Sequence, residues 1–430
     1  MKYLVIGSGG REHALGWKLK QTEGSEVHFL PGNGGTLELG TNVEIQPADV
    51  AAVTGFAREL EPDLVIVGPE DPLALGLVDA LTDAGIQAFG PRAEGAQLES
   101  SKVFAKELMA SSSIPTAQFK VFTSRERALE HVAKSKRPLV VKADGLAKGK
   151  GAIVTKNKRE AAEAVERMMG ERVFGDAGDT IIIEEKLRGE EASVIAVTDG
   201  EDYVLLPPSQ DHKPAFDGDR GPNTGGMGAY CPAPVIDRQA MDRIEDVVFG
   251  RLLDGLKKKG ISYRGVIYAG LILNKKGIFV IEFNARFGDP ETQCMLPVID
   301  IDLGNLLLDA SRGSLGRTRK VRAENWAVSV VLASGGYPGS YRKDMVITGV
   351  ERAASHDDVE VFHAGTRRAE DGSLRTSGGR VLAVTGMGDT LRAARRVAYN
   401  SVRLVRFEGA QNRRDIGVKG LARLEKLEVR

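Results

Sequence analysis

The sequence predicts a protein of several domains with α/β and α+β folds. Its length of 430 residues suggests two or three domains at about 150 residues each. Glycine makes up 51 of the 430 residues, which exceeds the usual share of roughly 7%. Many of these glycines follow short apolar runs and precede helical stretches. Apolar runs that end in glycine turns and lead into helices are typical of βαβ units around a buried parallel sheet.

Residues 1–101 predict an N-terminal domain with such a parallel sheet. Its apolar runs end at turns that begin at Gly7, Pro31, Gly68 and Gly90. Ligands of parallel sheets bind at the carboxyl ends of the strands, which is where these turns lie. We therefore expect ligands to bind at this edge of the N-terminal sheet.

Two further domains are predicted after residue 101. In the second, 102–324, two strands around 138–142 and 151–155 flank a glycine-rich connection and predict an antiparallel pair within a subdomain at about 123–190. The passage 207–234 has little periodicity, and loops of that length are usually functional or disordered. The third domain, 325–430, mixes short strands with one helix and predicts a small α/β domain.

Composition excludes several classes of protein. Lysine plus arginine and aspartate plus glutamate both number 59, and this neutral balance argues against a nucleic-acid or anionic-membrane partner. The two cysteines suit a reducing compartment, and no apolar run approaches the roughly 18 residues of a membrane span. We expect a cytoplasmic protein, and interpret the basic stretches 312–322 and 403–430 as solvated faces.

The first glycine turn, residues 7–12, invites comparison with a dinucleotide-binding fingerprint. Glu12 stands where the third glycine should be, and Pro31 stands where an acidic residue would contact a ribose. A dehydrogenase is therefore disfavoured. Two interpretations stay open: a phosphate site formed by the turn, the helix N-terminus and Arg11, or a tight turn without a ligand.

The segment 144–151 reads Asp-Gly-Leu-Ala-Lys-Gly-Lys-Gly and joins two strands, whereas a P-loop joins a strand to a helix. Its glycines allow backbone N–H groups to close over phosphate oxygens. Lys142, just before the loop, could reach a phosphate, and Lys148 and Lys150 add positive charge. The alternative is a flexible basic hairpin tip.

The strand 277–287 carries the clearest set of polar residues. Because strand side chains alternate, Glu282, Asn284 and Arg286 should share one face. The opposite face should carry Ile281, Phe283 and Ala285. Carboxylate and amide oxygens suit Mg²⁺ with phosphates completing its coordination, and the fork of Arg286 suits a carboxylate or phosphate. The alternative is a polar face that is merely hydrated.

Two weaker features contain acids and small polar residues. The segment 184–187 follows a buried strand, so its backbone could pair with an adenine edge, and 190–191 offers a carboxylate for ribose hydroxyls. The segments 209–213 and 221–228 could wrap a small polar substrate. His212 could be a base, but a lone histidine is usually structural, so we assign it no role.

Taken together, these segments resemble the ATP-grasp ligases, and more narrowly the phosphoribosylamine–glycine ligases of purine synthesis. The resemblance runs from residue 3 to residue 417 and rests on segments 5–15, 31–36, 67–70, 142–151, 209–213, 221–230, 282–293 and 335–339. Other ATP-grasp enzymes share the glycine hairpin and the Glu-x-Asn strand, whereas segments 9–13 and 223–228 narrow the likeness to this family. Lys148 departs from it, since a small or apolar residue is more usual there.

The resemblance implies a pre-ATP-grasp domain at 1–101, an ATP-grasp domain at 102–324 with a glycine-rich hairpin lid, and a small C-terminal domain at 325–430. It also implies ligation of glycine to 5-phosphoribosylamine through glycyl phosphate, with ATP and Mg²⁺ or Mn²⁺, by a monomer whose partners are these small molecules. Two alternatives stay open: another ATP-grasp carboxylate–amine ligase of purine metabolism, or a catalytically silent nucleotide-binding protein.

The resemblance also implies roles for single residues. The catalytic set is Arg286, Asp211 and Lys142. The ATP-binding set is Lys102, Lys142, Gly145, Lys148, Gly149, Lys150, Gly151, Glu184, Glu185, Leu187 and Glu191. The substrate-binding set is Gly10, Arg11, Glu70, Asp211, Asn223, Thr224, Gly225, Gly226, Arg286, Gly335 and Gly336. The metal ligands are Glu282 and Asn284.

Overall fold

The N-terminal part of the chain folds around a five-stranded parallel sheet, as predicted. The computed structural model describes residues 1–146 and 151–428. The strands of this sheet, in spatial order, are Thr41–Asn42, Glu26–Pro31, Lys2–Gly7, Leu64–Val67 and Ala88–Phe89. Its helices are Gly10–Lys20, Thr36–Glu38 (3₁₀), Val50–Leu60, Glu70–Ala74 and Leu77–Asp83. The central strands are buried because helices cover both faces of the sheet.

A four-stranded antiparallel sheet follows, and it contains the predicted strand pair. In spatial order its strands are Phe119–Phe122, Ile181–Glu185, Leu139–Ala143 and Ala152–Val154. The helices of this part of the chain, in sequence order, are Ala93–Ser100, Lys102–Ser111, Arg125–Lys134, Lys158–Val165, Glu166–Gly170 (π) and Gly175–Gly178 (3₁₀). The strand pair confirms that the glycine-rich segment joins two strands rather than a strand and a helix.

A second five-stranded sheet contains the Glu-x-Asn strand. Its strands, in spatial order, are Gly277–Asn284, Gly265–Asn274, Glu190–Thr198, Tyr203–Leu205 and Arg319–Lys320. Its helices are Arg238–Ile244, Glu245–Gly250 (π), Arg251–Lys258, Glu291–Met295, Leu296–Val298 (3₁₀) and Leu303–Arg312. Leu252, Leu253 and Leu256 of the helix Arg251–Lys258 pack into the core beside this sheet, as their spacing predicts.

The third five-stranded sheet combines the passage 207–234 with the C-terminal part of the chain. Its strands, in spatial order, are Gln210–Asp211, Gly228–Cys231, Trp326–Ala333, Arg380–Gly388 and Val359–His363. Two small hairpins flank it, Pro214–Phe216 with Arg220–Asn223 and Thr366–Arg368 with Leu374–Thr376. Its helices are Val350–Ala354, Leu391–Val402 and Val418–Glu428. The passage 207–234, which has little periodicity in sequence, thus forms four short strands.

One basic stretch differs from its interpretation as a solvated face. Arg413, within 403–430, is fully buried, because it pairs with Asp415 and Asp219. No helix of the described residues is long and apolar enough to cross a membrane.

Candidate active site

A cavity with a volume of about 700 Å³ is lined by residues from all three parts of the chain. Such a volume is typical of small-molecule and cofactor sites. Helices of the N-terminal part contribute Arg11 and Glu70, the middle part contributes most of the wall, and Tyr337 and Arg380 come from the C-terminal part. All three parts of the chain therefore contribute side chains to the cavity.

Most of the predicted site residues line this cavity together. They are Arg11, Glu70, Lys102, Lys142, Gly145, Gly151, Glu184, Glu185, Leu187, Glu191, Asp211, Asn223, Thr224, Gly225, Glu282, Asn284 and Arg286. The predictions for Lys148, Gly149 and Lys150 lie outside the described residues.

Four predicted substrate-binding glycines are absent from the described lining of the cavity: Gly10, Gly226, Gly335 and Gly336. Gly226 has a φ of +115°, which favours glycine, and it packs against Pro290. A side chain on Gly335 would come within 2.8 Å of the Gly409 carbonyl oxygen. Close packing thus accounts for glycine at these two positions, and the substrate-binding roles of all four remain predictions.

The first part of the cavity, which we call the lysine end, contains Lys102, Lys106, Lys142, Glu184 and Glu282. The Glu184 carboxylate forms ion pairs with Lys142 at 2.5 Å and with Lys106 at 2.6 Å. Burial alone would raise the pKa of Glu184, but the two lysines together lower it. The Glu184 carboxylate therefore holds two lysine ammonium groups inside the cavity wall.

Lys106 is a site residue that the sequence reasoning missed. It lies four positions after Lys102 in the helix Lys102–Ser111, so both lysines occupy the same helix face. Burial lowers the pKa of Lys106 to about 8. Lys102 donates to the Gly145 carbonyl at 2.8 Å, and so contacts the start of the glycine-rich segment. The i, i+4 spacing of the two lysines was the available signal.

Glu282 and Asn284 both line the cavity, but the strict alternation predicted for their strand is wrong at Ile281. Opposite Gly270 and Leu271 the register shifts, so that the strand contains one extra residue. Ile281 consequently lines the cavity, Val280 packs in the core, and Phe283 packs in the core and also borders the cavity. This bulge redirects one apolar side chain and keeps the two oxygen donors on the cavity side.

Lys213, also missed from the sequence, lies 3.0 Å from Glu282. The charge of Lys213, assisted by Lys142 and Lys102, lowers the pKa of Glu282 to about 2 despite its burial. Glu282 is therefore ionised at neutral pH, as a metal ligand must be. Among the described residues no group of three or more His, Cys, Asp or Glu side chains could hold a metal alone. Glu282 and Asn284 thus fit the prediction in which phosphate oxygens complete the coordination.

A second group of charged residues in the cavity, which we call the arginine end, contains Arg11, Arg286, Glu70 and Glu99. Arg286 pairs with Glu99 at 2.9 Å and with Glu70 at 3.4 Å. Burial would raise the pKa of Glu70, but Arg286 and Arg11 lower it to about 2. Burial raises the pKa of Glu99 to about 7 despite Arg286, and the charge of Glu70 adds to this rise. Glu99, which the sequence reasoning missed, therefore shares its arginine with a stronger acid.

Between the two ends, Asp211 and Lys213 lie near a buried hydrogen-bonded group. The Tyr268 hydroxyl donates to Glu291 at 2.8 Å and also contacts the Ser193 hydroxyl at 2.7 Å. Burial, assisted by the charge of Asp211, raises the pKa of Glu291 to about 7. These residues occupy separate strands and a helix, so no sequence motif connects them.

His212 directly follows the strand Gln210–Asp211 but is absent from the cavity lining described. Its ring is buried near Tyr230, with centroids 6.0 Å apart, and burial lowers its pKa to about 3. This placement agrees with a structural role for His212 rather than with a base.

The C-terminal part secures the loop that follows Asn223. Arg380 donates to the carbonyl oxygens of Gly225 and Asp289, each at 2.7 Å, and lies 3.2 Å from the Asp289 carboxylate. The Tyr337 hydroxyl accepts from the Gly225 N–H at 3.2 Å. Arg380 and Tyr337 thus hold Gly225 by both of its backbone polar groups, and neither residue was predicted.

Sequence comparison adds to this geometry. The N domain of phosphoribosylglycinamide synthetase matches residues 1–99, its ATP-grasp (A) domain matches 100–292, and its C domain matches 327–419. The chain belongs to the phosphoribosylglycinamide synthetase family. The architecture of this family confirms the predicted fold class: an N-terminal parallel sheet, an ATP-grasp domain and a C-terminal domain.

Relatives in this family match nearly the whole length of this chain. The phosphoribosylamine–glycine ligase of Rhodopirellula baltica is 49% identical over 98% of both chains. The trifunctional purine biosynthetic protein adenosine-3 of Homo sapiens is 48% identical over 99% of this chain, which spans 42% of that longer relative. The resemblance to the phosphoribosylamine–glycine ligases is therefore confirmed.

Solved structures agree with the family assignment. The phosphoribosylamine–glycine ligase of Thermotoga maritima is 36% identical, with a TM-score of 0.83 over 97% of this chain and all of that one. The biotin carboxylase domain of the Hydrogenobacter thermophilus 2-oxoglutarate carboxylase, solved with magnesium ADP, has a TM-score of 0.73 at 14% identity, over 96% of this chain and 91% of that one. At this low identity the second likeness shows a shared fold alone.

Proposed function

We propose that the chain catalyses the ATP-dependent ligation of glycine to 5-phosphoribosylamine, with glycinamide ribonucleotide, ADP and phosphate as products. The observation that carries this proposal is one cavity in which a lysine end, next to Glu282 and Asn284, continues into an arginine end. The lysine end suits a polyphosphate, and the arginine end suits a smaller anion such as a carboxylate or phosphate. Membership of the family supports the same reaction.

At the lysine end, the triphosphate would lie against Lys102 and Lys142. Lys142 is buried and already oriented by Glu184 at 2.5 Å, so little ordering remains when a phosphate replaces solvent. The backbone of 185–187 would pair with the adenine edge, and Glu191 would accept from the ribose hydroxyls. Gly145 and Gly151, at the two described ends of the glycine-rich segment, would bring backbone N–H groups close to the phosphates.

Enzymes with an ATP-grasp domain use ATP together with divalent metal ions, and we propose Mg²⁺ or Mn²⁺ here. Glu282 and Asn284 supply the hard oxygen ligands that these ions prefer. When bound, the metal would neutralise charge on the phosphates during transfer. Lys213 keeps Glu282 ionised in the structure described, so the carboxylate is ready to bind a cation without losing a proton.

The reaction would proceed in two steps. The glycine carboxylate attacks the γ-phosphorus and ADP leaves, which forms glycyl phosphate; the amine of phosphoribosylamine then attacks the acyl carbon and phosphate leaves. Arg286 would orient the carboxylate or the transferring group, with its own position fixed by Glu99 and Glu70. Asp211 and 223–225 would position glycine and the amine, and Arg11 would contact the phosphoribosyl end. Glycyl phosphate hydrolyses readily, so the enclosing walls must also exclude water.

The test is ADP release with ATP, Mg²⁺, glycine and phosphoribosylamine generated in situ from ribose 5-phosphate and ammonia. We expect ADP only when both substrates are present, and no replacement of glycine by alanine or formate. ADP release with formate or bicarbonate would instead identify another ATP-grasp ligase. ATP binding without turnover would identify a silent nucleotide-binding protein.

We also propose that the protein acts as a monomer, because one chain supplies residues to every described side of the cavity. Sedimentation velocity at the assay concentration tests this directly. The domain boundaries at 101 and 324, and a lid within 123–190, remain predictions from the sequence.

A further inference from the structure

A small hairpin borders the centre of the cavity and is weakly held by apolar contacts. It consists of Pro214–Phe216 and Arg220–Asn223, and its two ends, Pro214 and Asn223, line the cavity. The second strand is exposed throughout, and Phe216 near the tip is 50% exposed. Because so little apolar surface is buried here, polar contacts must hold the hairpin in place.

Those contacts come from the segment 413–419, about two hundred residues later in the sequence. Arg413 is fully buried and donates to both carboxylate oxygens of Asp415 at 2.7 Å, to the Pro214 carbonyl at 3.1 Å and to Asp219 at 3.0 Å. Asp415 in turn accepts from the Gly218 N–H at 2.8 Å. One arginine thus bonds the base of the hairpin and, directly and through Asp415, its tip.

The base of the hairpin is continuous with residues that we place in the active site. Pro214 follows Lys213, whose ammonium lies 3.0 Å from Glu282. The Lys213 carbonyl accepts from the Thr224 N–H at 2.8 Å and from the Thr224 hydroxyl at 2.7 Å. A displacement of Pro214 would therefore move Lys213 and the loop around Thr224 together.

We infer that Arg413 is a positioning residue for ligation, acting through the 214–223 hairpin on Lys213 and on residues 223–225, which we propose to position glycine. This inference rests on the proposed function for the identity of the substrate. An arginine is required because its planar fork binds Asp415 with two hydrogen bonds while a further N–H reaches the Pro214 carbonyl. Lysine has one compact ammonium and cannot make all three contacts.

Steady-state kinetics of Arg413→Met and Arg413→Lys test the positioning role. In Arg413→Met we expect the KM for glycine to rise at least tenfold, while the KM for ATP changes less than about twofold, because a displaced binding group costs affinity where it acts. Arg413→Lys retains a cation beside Asp415 and Asp219 but loses the Pro214 contact. It should therefore keep near-parental thermal stability and still show a several-fold higher KM for glycine.

A second measurement reports the hairpin itself and needs no catalytic activity. Chymotrypsin cleavage after Phe216, identified by mass spectrometry, should be at least tenfold faster in Arg413→Met than in the parent under native conditions. The matched control is Val384→Ala, which removes buried apolar volume from the strand Arg380–Gly388. This control should lower thermal stability without changing Phe216 cleavage or the KM for glycine.

The two measurements separate the possible failures. Unchanged cleavage at Phe216 together with an unchanged KM for glycine in Arg413→Met overturns the inference. Equal loss of affinity for ATP and glycine, matched by Val384→Ala at the same stability, reduces Arg413 to a structural role and also overturns it. If the parent shows no glycine-dependent ADP release, the proposed function fails; faster cleavage at Phe216 would then still support the docking of the hairpin by Arg413, and unchanged cleavage would overturn it.

Discussion

At the lysine end of the cavity Glu282 faces three lysines, whereas at the arginine end Glu99 shares one arginine with a second glutamate. The pKa of Glu282 falls to about 2 because of Lys213, with help from Lys142 and Lys102. The pKa of Glu99 rises to about 7 because burial outweighs Arg286 and Glu70 adds repulsion. Two glutamates in one cavity thus differ in ionisation because they have different numbers of cations and anions around them.

This difference separates the tasks of the two ends. An ionised Glu282 next to Asn284 can bind a cation, and the surrounding lysines can bind a polyphosphate. At the arginine end, a protonated Glu99 is neutral, so Arg286 would have Glu70 as its chief anionic partner. The guanidinium of Arg286 could then also bind the carboxylate of a substrate. The comparison therefore predicts large losses of activity for substitutions at the lysine end and a pH-dependent change in stability for a substitution at the arginine end. Substitutions at exposed ion pairs should change the kinetics little.

The largest effect is expected for Glu282→Gln, which keeps the side-chain shape and removes the charge. The kcat for ADP release should fall about a thousandfold, since stabilisation of the phosphoryl charge depends on the metal held there. The metal concentration for half-maximal activity should also rise. A kcat within tenfold of the parent at unchanged metal dependence would exclude Glu282 as a ligand.

A smaller loss is expected for Lys142→Met. The variant removes one phosphate contact and leaves Glu184 with Lys106 as its ion-pair partner, so kcat/KM for ATP should fall about a hundredfold. Lys120→Met, at an exposed position on the same sheet, serves as the control and should stay within twofold. Equal kinetics for the two variants would contradict a role for Lys142 at the phosphates.

At the arginine end, Glu99→Gln should change how stability depends on pH. In the folded protein Glu99 holds its proton up to about pH 7, whereas unfolded glutamate releases it near 4.5. The folded state therefore binds more protons in this window, and ionisation of Glu99 makes folding less favourable as the pH rises. Relative to the parent, the variant should gain roughly 2 to 3 kcal/mol in unfolding free energy between pH 5 and pH 8.

Urea unfolding at both pH values measures this gain, and Glu291, which remains in both proteins, cancels in the difference. For Glu282→Gln we expect the stability difference from the parent to depend on pH in the opposite direction. Its parent carboxylate has a lowered pKa, so any stability deficit of that variant should shrink as the pH falls from 5 towards 2. A pH-independent difference for Glu99→Gln would show that its carboxyl ionises normally.

The smallest effect is expected for Glu185→Gln. Its side chain pairs at 2.5 Å with Arg137, which is largely exposed, and exposed pairs contribute about 0 to 1 kcal/mol. Because the proposed adenine contact uses the backbone of 185–187, the KM for ATP should change less than about twofold. A tenfold rise in that KM would place the Glu185 carboxylate itself on the nucleotide.

Sequence reasoning found the residues that lie within compact motifs and missed those that meet only after folding. Glu282 and Asn284 lie on one strand and Arg286 follows two residues after its end, and all three line the cavity, as their alternate spacing predicts. Alternation fails at Ile281, because a bulge depends on the partner strand rather than on local sequence. Lys213 lies inside the segment 209–213, which stands out in the sequence for its polar residues, but no local pattern indicates its pairing with Glu282.

The fold shows the same division. The parallel sheet and the strand pair around the glycine-rich segment follow from local apolar runs and turns. The short strands of 207–234 do not, because Gln210–Asp211 and Gly228–Cys231 owe their conformation to pairing with each other and with Trp326–Ala333, about a hundred residues later. Arg413 is likewise buried among acidic side chains, and one of them, Asp219, lies far away in the sequence. The basic stretch around Arg413 therefore suggests a solvated face, whereas the structure has a buried group of ion pairs there.

Arg380 comes late in the sequence, after the residues that it secures. It bonds the carbonyl oxygens of Gly225 and Asp289, the second of them 91 positions earlier in the chain. A growing polypeptide therefore contains the residues of its lysine and arginine ends before Arg380, which secures Gly225, has been made. A nascent chain would thus hold the residues proposed for nucleotide binding before it holds the arginine that secures Gly225, within the segment proposed to position glycine.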